Sequence, residues 1–425
     1  MLFLLILISF FFSCDSEEGP YSPDSYSENA AGNALFDNNH IEYTEDENCR
    51  LRRKAARIAD ALDDRQLAAQ VIITGIDGRG RLTHGMRTLL TEFPTGGIML
   101  FRFNLNTGND EIRNLIAEAS DLIASGVAVT VPSEETDGEE LFAAIRPFVA
   151  ADQEGGVVSR FMPGVADLPP PLSYWEAAQN IGKDAAIAQV KDDSYRAGRV
   201  IFDLGVNMNF APVAEHLHEH NTDFLQSRSY GPDPDFAAAA SAAFITGMEM
   251  AGVICVAKHF PGSAGIDPHY HPSLLPGDKE AMAEFAAPFE YLIRNGYARS
   301  IMISHSAIPA WDTVNIASLS PAVMDIWLRQ ELGFEGIIIC DDFLMAAARN
   351  PFPGSTEYLT PETAAVRSLA AGADMVMVWP SGLRQTHAEI RSALDDGRLT
   401  RERLRDASAR IILEKLRMRL IDNEI

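Results

Sequence analysis

Residues Gly336–Asp342 read GIIICDD, three isoleucines and a cysteine closed by two aspartates. β-Branched side chains suit a pleated, packed surface, and so short an apolar run fits a strand better than a helix. The segment therefore reads as a buried strand that ends in charge. Seven further runs have a similar form: QVIIT (Gln70–Thr74), GGIMLF (Gly96–Phe101), PFVAAD (Pro147–Asp152), NMNFAP (Asn207–Pro212), VICVAKH (Val253–His259), SIMISH (Ser300–His305) and ADMVMVW (Ala373–Trp379). Near-continuous apolar runs are what parallel strands covered on both faces require. The stretches between them have helical character. Asp233–Met250 is alanine-rich behind a proline, and Pro321–Leu332 opens on Ser-Pro, both good helix starts. Eight such units predict an α/β fold, a (β/α)8 TIM barrel.

Asp152, Lys258 with His259, His305, and Asp341 with Asp342 stand at the last residues of their runs. In a parallel barrel all strand ends of that polarity meet on one face, where enzymes of this architecture keep their active sites. One charged residue at a strand end is ordinarily a cap or a loop contact. Four strands ending this way point to a site.

The chain of 425 residues has 47% hydrophobic content, enough for a large core, and a formal net charge of −25. Such an acidic surface excludes nucleic acid as a partner, since phosphate binding needs a cationic face. The apolar run Leu2–Phe12 is too short for a comfortable membrane span and resembles the core of an export signal. Ser13-Cys14 after it resembles a lipobox, so residues 1–14 are expected to be a signal peptide and Cys14 a lipid anchor. An acidic segment free of lysine and arginine follows over residues 15–48, expected to be a disordered tether. The folded part is placed at 49–425. These features imply an exported, membrane-anchored lipoprotein facing the periplasm or the cell exterior. Cys49, Cys255 and Cys340 are widely spaced and are expected to be buried thiols. Val131–Arg146 breaks the rhythm of strands and is expected to be an acidic surface insertion with a helical turn.

Ala257–Pro272, AKHFPGSAGIDPHYHP, holds three histidines, a lysine and an aspartate. His269-Tyr270-His271 has the spacing of a metal-binding pair, but it lies in a loop after the fifth run and no other ligands recur at regular spacing. No metal and no cofactor are expected, and the residues alone leave open whether the stretch transfers protons or is a polar loop.

Six segments in order carry a resemblance: ADQEGGVVSRF (Ala151–Phe161), NFAPVAE (Asn209–Glu215), SRSYGPDP (Ser227–Pro234), KHFPG (Lys258–Gly262), DPH (Asp267–His269) and GFEGIIICDDFLM (Gly333–Met345). They resemble the signature segments of glycoside hydrolase family 3. KHFPG followed by an Asp-x-His loop is similar to its single-domain NagZ-type β-N-acetylglucosaminidases (β-N-acetylhexosaminidases). The β-glucosidase branch carries its acid in a second domain, for which the chain after the barrel leaves no room, so a single catalytic domain is expected. The resemblance implies a retaining exo-glycosidase that removes terminal β-linked N-acetylglucosamine, from peptidoglycan or chitin-type oligosaccharides, and that acts as a monomer on a carbohydrate substrate. It implies Asp341 as nucleophile in preference to Asp342, and His269 oriented by Asp267 as acid/base, with His271 a neighbouring candidate. Asp152, Arg160, Arg228, Lys258 and His259 are implied to bind the sugar, and Glu154 to brace a strand end. The chain departs from the family pattern KHFPGHG in having Ser263 where a second histidine is common, in a shorter loop, and in Pro268. Alternatives within the same reading are a β-glucosidase or β-xylosidase, or a glycan-binding lipoprotein without activity.

Overall fold

The computed structural model describes residues 44–133 and 138–424. The expected signal peptide, Cys14 and most of the tether lie outside the described residues. Eight strands form a closed barrel: β1 (Ile72–Gly75), β2 (Gly97–Leu100), β3 (Phe148–Ala151), β4 (Met208–Asn209), β5 (Ile254–Phe260), β6 (Ser300–Ile303), β7 (Ile337–Cys340) and β8 (Met375–Val378). Each pairs in parallel with its neighbours in the chain, and β8 closes on β1, where Thr74 stands beside Val378. All eight apolar runs become barrel strands. Asp152, His305, Asp341 and Asp342 fall just past the last paired residue of their strands, whereas Lys258 and His259 lie within β5.

The strand residues are buried because helices cover the outside of the barrel and side chains fill the inside; Ile72, Ile73, Ile98, Phe148, Ile301 and Ile338 have no appreciable exposure. The helix Pro234–Met250 starts where Asp233 accepts the N–H groups of Asp235 and Phe236. It packs on Lys183–Asp203 so closely that a Cβ on Gly247 would meet the Lys191 carbonyl oxygen at 2.3 Å. Ala322–Glu331 is helical as expected, but wound as a π-helix, with the Leu332 N–H donating to the Trp327 oxygen five residues back. At the opposite end from the polar strand termini, Asp374 is fully buried beneath Arg329, Arg403 and Arg410 and accepts the Ile338 N–H. Burial pushes that carboxyl up, and the guanidinium groups outweigh the push and hold it low. It ties the covering helices to the start of β8.

Three expectations need correction. Glu45–Asn48, assigned to the tether, form the first turn of a helix spanning Glu45–Ala61 that packs on Arg401–Arg417. Thr44 caps it in a capping box with Glu47, and the acidic residues read as tether favour the positive end of the helix dipole. The described residues of the insertion are paired strand and not helix: Val129–Pro132 pairs antiparallel with Glu139–Ile145, which also pairs with Ile421–Glu424. Phe142 is fully buried there, so packing between distant segments overrides local helical preference. Cys255 and Cys340 are buried thiols, but Cys49 is disulfide-bonded.

Candidate active site

The residues beyond β3 and those ending β5 meet first. Lys258 Nζ lies 2.9 Å from Asp152 Oδ1 and 2.7 Å from Glu154 Oε1. Arg160 Nη2 donates to the other oxygen of Asp152 at 2.9 Å, and Arg228 grips Glu154 through Nε and Nη2 at 2.8 and 2.9 Å. The bidentate fork makes Glu154 a structural anchor for Arg228, in keeping with its expected bracing role. Burial alone would raise both acids. Lys258 with Arg160 instead holds Asp152 well below the usual carboxylate range, and Lys258 with Arg228 holds Glu154 at about 2. The main chain reverses here through Gly155, at φ +104°, where a Cβ would come within 2.4 Å of the Pro169 oxygen.

His259 turns to a different acid. Its Nδ1 is 2.8 Å from Glu215 Oε1, and the buried Glu215 also accepts from the Ser263 N–H and hydroxyl. Beyond Ser263 the chain forms a loop at whose tip Asp267 Oδ1 accepts the His269 backbone N–H at 2.9 Å and meets His269 Nδ1 at 2.7 Å. Burial raises the Asp267 carboxyl, but the two His269 contacts, with the charges of His269 and Arg228, outweigh it and hold the carboxyl below its ordinary value. The loop rests on the residues after β7: the N–H groups of Ala346 and Ala347 donate to the carbonyl oxygens of His269 and Pro268.

The two aspartates after β7 are distinguished by their partners. Asp342 accepts the Trp379 indole N–H at 2.6 Å and the Leu344 N–H at 2.9 Å, while burial, aided by the charge of Asp341, pushes its carboxyl up. Asp341 instead lines a cavity together with His269, Arg228, His259, Ser263 and His305. His305 is buried, held between the Ser318 hydroxyl and the Asp342 carbonyl oxygen, and burial disfavours its cationic form. His271 is exposed and outside the cavity lining.

Every expected site residue thus lies at the C-terminal end of the barrel. Asp341, His269, Arg228 and His259 share one cavity; Asp267 supports His269 from the loop; Asp152, Arg160 and Lys258 form the charge network joined to it through Glu154 and Arg228. No cluster of three metal-ligating side chains occurs among the described residues. Sequence reading assigned no role to Glu215, although it ends the quoted NFAPVAE segment, nor to Ser263 and Trp379. An acid six residues beyond the last paired residue of β4, closing the apolar stretch Phe210–Ala214, was the available signal for Glu215.

The model of the Glycosyl hydrolase family 3 N terminal domain matches residues 65–413. The chain is 30% identical over 304 residues to a beta-hexosaminidase of Methylococcus capsulatus, covering 70% of this chain and 79% of that one. It is 30% identical over 325 residues to a beta-hexosaminidase of Thioalkalivibrio sulfidiphilus, covering 74% and 82%. Among solved structures it superposes with a TM-score of 0.71, at 27% identity, on a glycoside hydrolase family 3 beta-N-acetylglucosaminidase from Paenibacillus sp.. That match covers 85% of this chain and 63% of the other, so this chain spans less than two thirds of the Paenibacillus protein.

Proposed function

The chain belongs to glycosyl hydrolase family 3, and from that premise we propose that it is a retaining β-N-acetylhexosaminidase. It removes terminal non-reducing β-linked N-acetylglucosamine from peptidoglycan or chitin-type oligosaccharides. The observation that carries the reading is the meeting of Asp341 and His269 in one cavity, with Asp267 holding His269 from the loop. The names of the similar proteins support the choice of sugar.

Most retaining glycosidases use two carboxylates, one as nucleophile and one as acid/base. Here the first role falls to Asp341. Its carboxylate oxygen attacks the anomeric carbon, forming a glycosyl ester as the bond to the leaving oxygen breaks. Asp342 is committed to Trp379 and to its own loop, which leaves Asp341 as the carboxylate facing the cavity. His269 supplies the proton. Asp267 accepts a hydrogen bond from Nδ1–H, which stays on the ring, so Nε2 of the imidazolium gives its proton to the leaving oxygen. The neutral imidazole then takes a proton from water as that water attacks the ester, and sugar and free Asp341 are released. Asp152, kept ionised by Lys258 and Arg160, accepts hydrogen bonds from a pair of sugar hydroxyls; Arg228 and His259 complete the cup.

Hydrolysis of aryl β-N-acetylglucosaminides, with the glucoside and xyloside alongside, tests the assignment. The acetamido sugar should be the preferred substrate. Asp341→Asn should abolish turnover of every aryl substrate. His269→Ala should lower kcat/KM roughly 10²–10⁴-fold for a poor leaving group and much less for an activated phenol. Equal losses on the two leaving groups would remove His269 from the acid role, and absence of phenol release by the unaltered protein between pH 5 and 8 would remove the enzyme reading.

A further inference from the structure

We propose that Glu215 is a positioning residue that couples the sugar cup to the acid/base loop, with Ser263 as its partner at the root of that loop. The inference rests on the reading of His269 given above. Glu215 is 1% exposed and does not line the cavity. Its backbone is held beside β5, where the Ala214 N–H donates to the Lys258 oxygen at 2.9 Å. Four donors converge on its carboxylate. Oε1 takes the His259 backbone N–H at 3.2 Å, meets His259 Nδ1 at 2.8 Å and takes the Ser263 hydroxyl at 2.9 Å, while Oε2 takes the Ser263 backbone N–H at 2.6 Å. These donors come from two residues only, one ending β5 and one beginning the loop that carries Asp267 and His269.

The loop is therefore held at both ends. Its root is bound to Glu215, and its tip is bound through the carbonyl oxygens of Pro268 and His269 to Ala347 and Ala346, a few residues beyond Asp341. Burial pushes the Glu215 carboxyl up, but the His259 contact and the Ser263 bonds outweigh it, so the group stays ionised. A buried carboxylate tolerates its surroundings only while its donors are in place. The loop root is thereby confined to the position in which Ser263 satisfies Glu215. Ser263 makes that contact with both its backbone N–H and its hydroxyl.

Glu215→Gln turns one acceptor oxygen into an NH2 donor facing donors, and so releases either His259 or Ser263. A loosened loop root misplaces the proton donor more than the nucleophile. We expect the ratio of kcat/KM for an activated aryl N-acetylglucosaminide to that for one with a poor leaving group to rise on the order of tenfold. Ser263→Ala, which loses one of four donors, should raise the ratio a few-fold, and Ser263→Thr, which keeps the hydroxyl, should restore it. A merely structural role would lower both substrates alike and leave the ratio unchanged in Glu215→Gln; that result, or an unchanged ratio in Ser263→Ala should the first variant fail to fold, overturns the proposal. An unaltered protein without N-acetylglucosaminidase activity is a separate result, visible before any variant is made, and removes both the functional reading and this inference.

Discussion

Replacing Lys258 by methionine keeps most of the apolar stem and removes the ammonium, with its charge and its hydrogen bonds. The side chain is 4% exposed, and its ammonium sits between Asp152 and Glu154 at 2.9 and 2.7 Å. In the variant each buried acid retains one arginine partner, Arg160 or Arg228. Breaking a buried pair from one side costs about 3–5 kcal/mol because a charge is left under-compensated. With the two arginines still in place, the lower end, about 3 kcal/mol, is expected at pH 7.5. That is a large part of the 5–15 kcal/mol typical of a folded domain.

The pH dependence checks the cause. Both acids have folded pKa values below their unfolded values of about 4, so the stability they contribute is present above that pH and is lost as pH falls through the folded values. Lys258 is the foremost of the groups holding both acids down. Without it burial raises them, and the folded variant takes up protons at a higher pH than the unaltered protein does. Burial lowers Lys258 itself, but Asp152 and Glu154 outweigh that and raise it, so its charge persists through this window. The stability gap should therefore narrow between pH 7.5 and pH 4.5. Urea unfolding followed by tryptophan fluorescence at the two pH values measures it. A gap below about 1 kcal/mol at pH 7.5, or one of equal size at both, would refute the reasoning.

Two further outcomes are expected. Trp379→Phe removes the indole donor of Asp342, which should cost about 1.5–3 kcal/mol where the carboxyl is ionised. Because losing the donor raises the Asp342 pKa further, thermal unfolding should show the cost fading as pH falls below that pKa; a deficit independent of pH would count against the contact. Gly247→Ala, whose new methyl would press on the Lys191 carbonyl and the Ser194 hydroxyl, should destabilise by about 1–3 kcal/mol through overpacking, measured by the same urea titration; an unchanged midpoint would show that the two helices can move apart.

Much of the site could be read from local pattern. Asp152, Lys258, His259 and Asp341 follow or end apolar runs, and a parallel barrel carries all such positions to one face. Arg160, Asp267 and His269 lie in loops and Arg228 ends a single 3-10 turn, where periodicity says nothing, and all four were reached through the resemblance of their flanking segments. The paired strands Val129–Pro132 and Glu139–Ile145 were misread because the alternation of VTVP is only four residues long and acidic residues follow it; pairing with Ile421–Glu424, more than 270 residues away, decides the second strand. The helix start at Thr44 was legible in principle as a capping box, but the surrounding acidic residues suggested a solvated tether.

Sequence by itself determined the eight strands, their burial and the polarity of their ends, because these depend on side-chain chemistry within a few neighbouring residues. Tertiary structure alone decided how the charges pair. Lys258 meets acids more than a hundred residues earlier in the chain, Asp342 is claimed by Trp379 and so separated in role from Asp341, and Glu215 reaches across to His259 and Ser263. A hydrogen bond or ion pair is fixed by distances of about 3 Å, and barrel closure, which linear spacing does not encode, brings the partners within that reach.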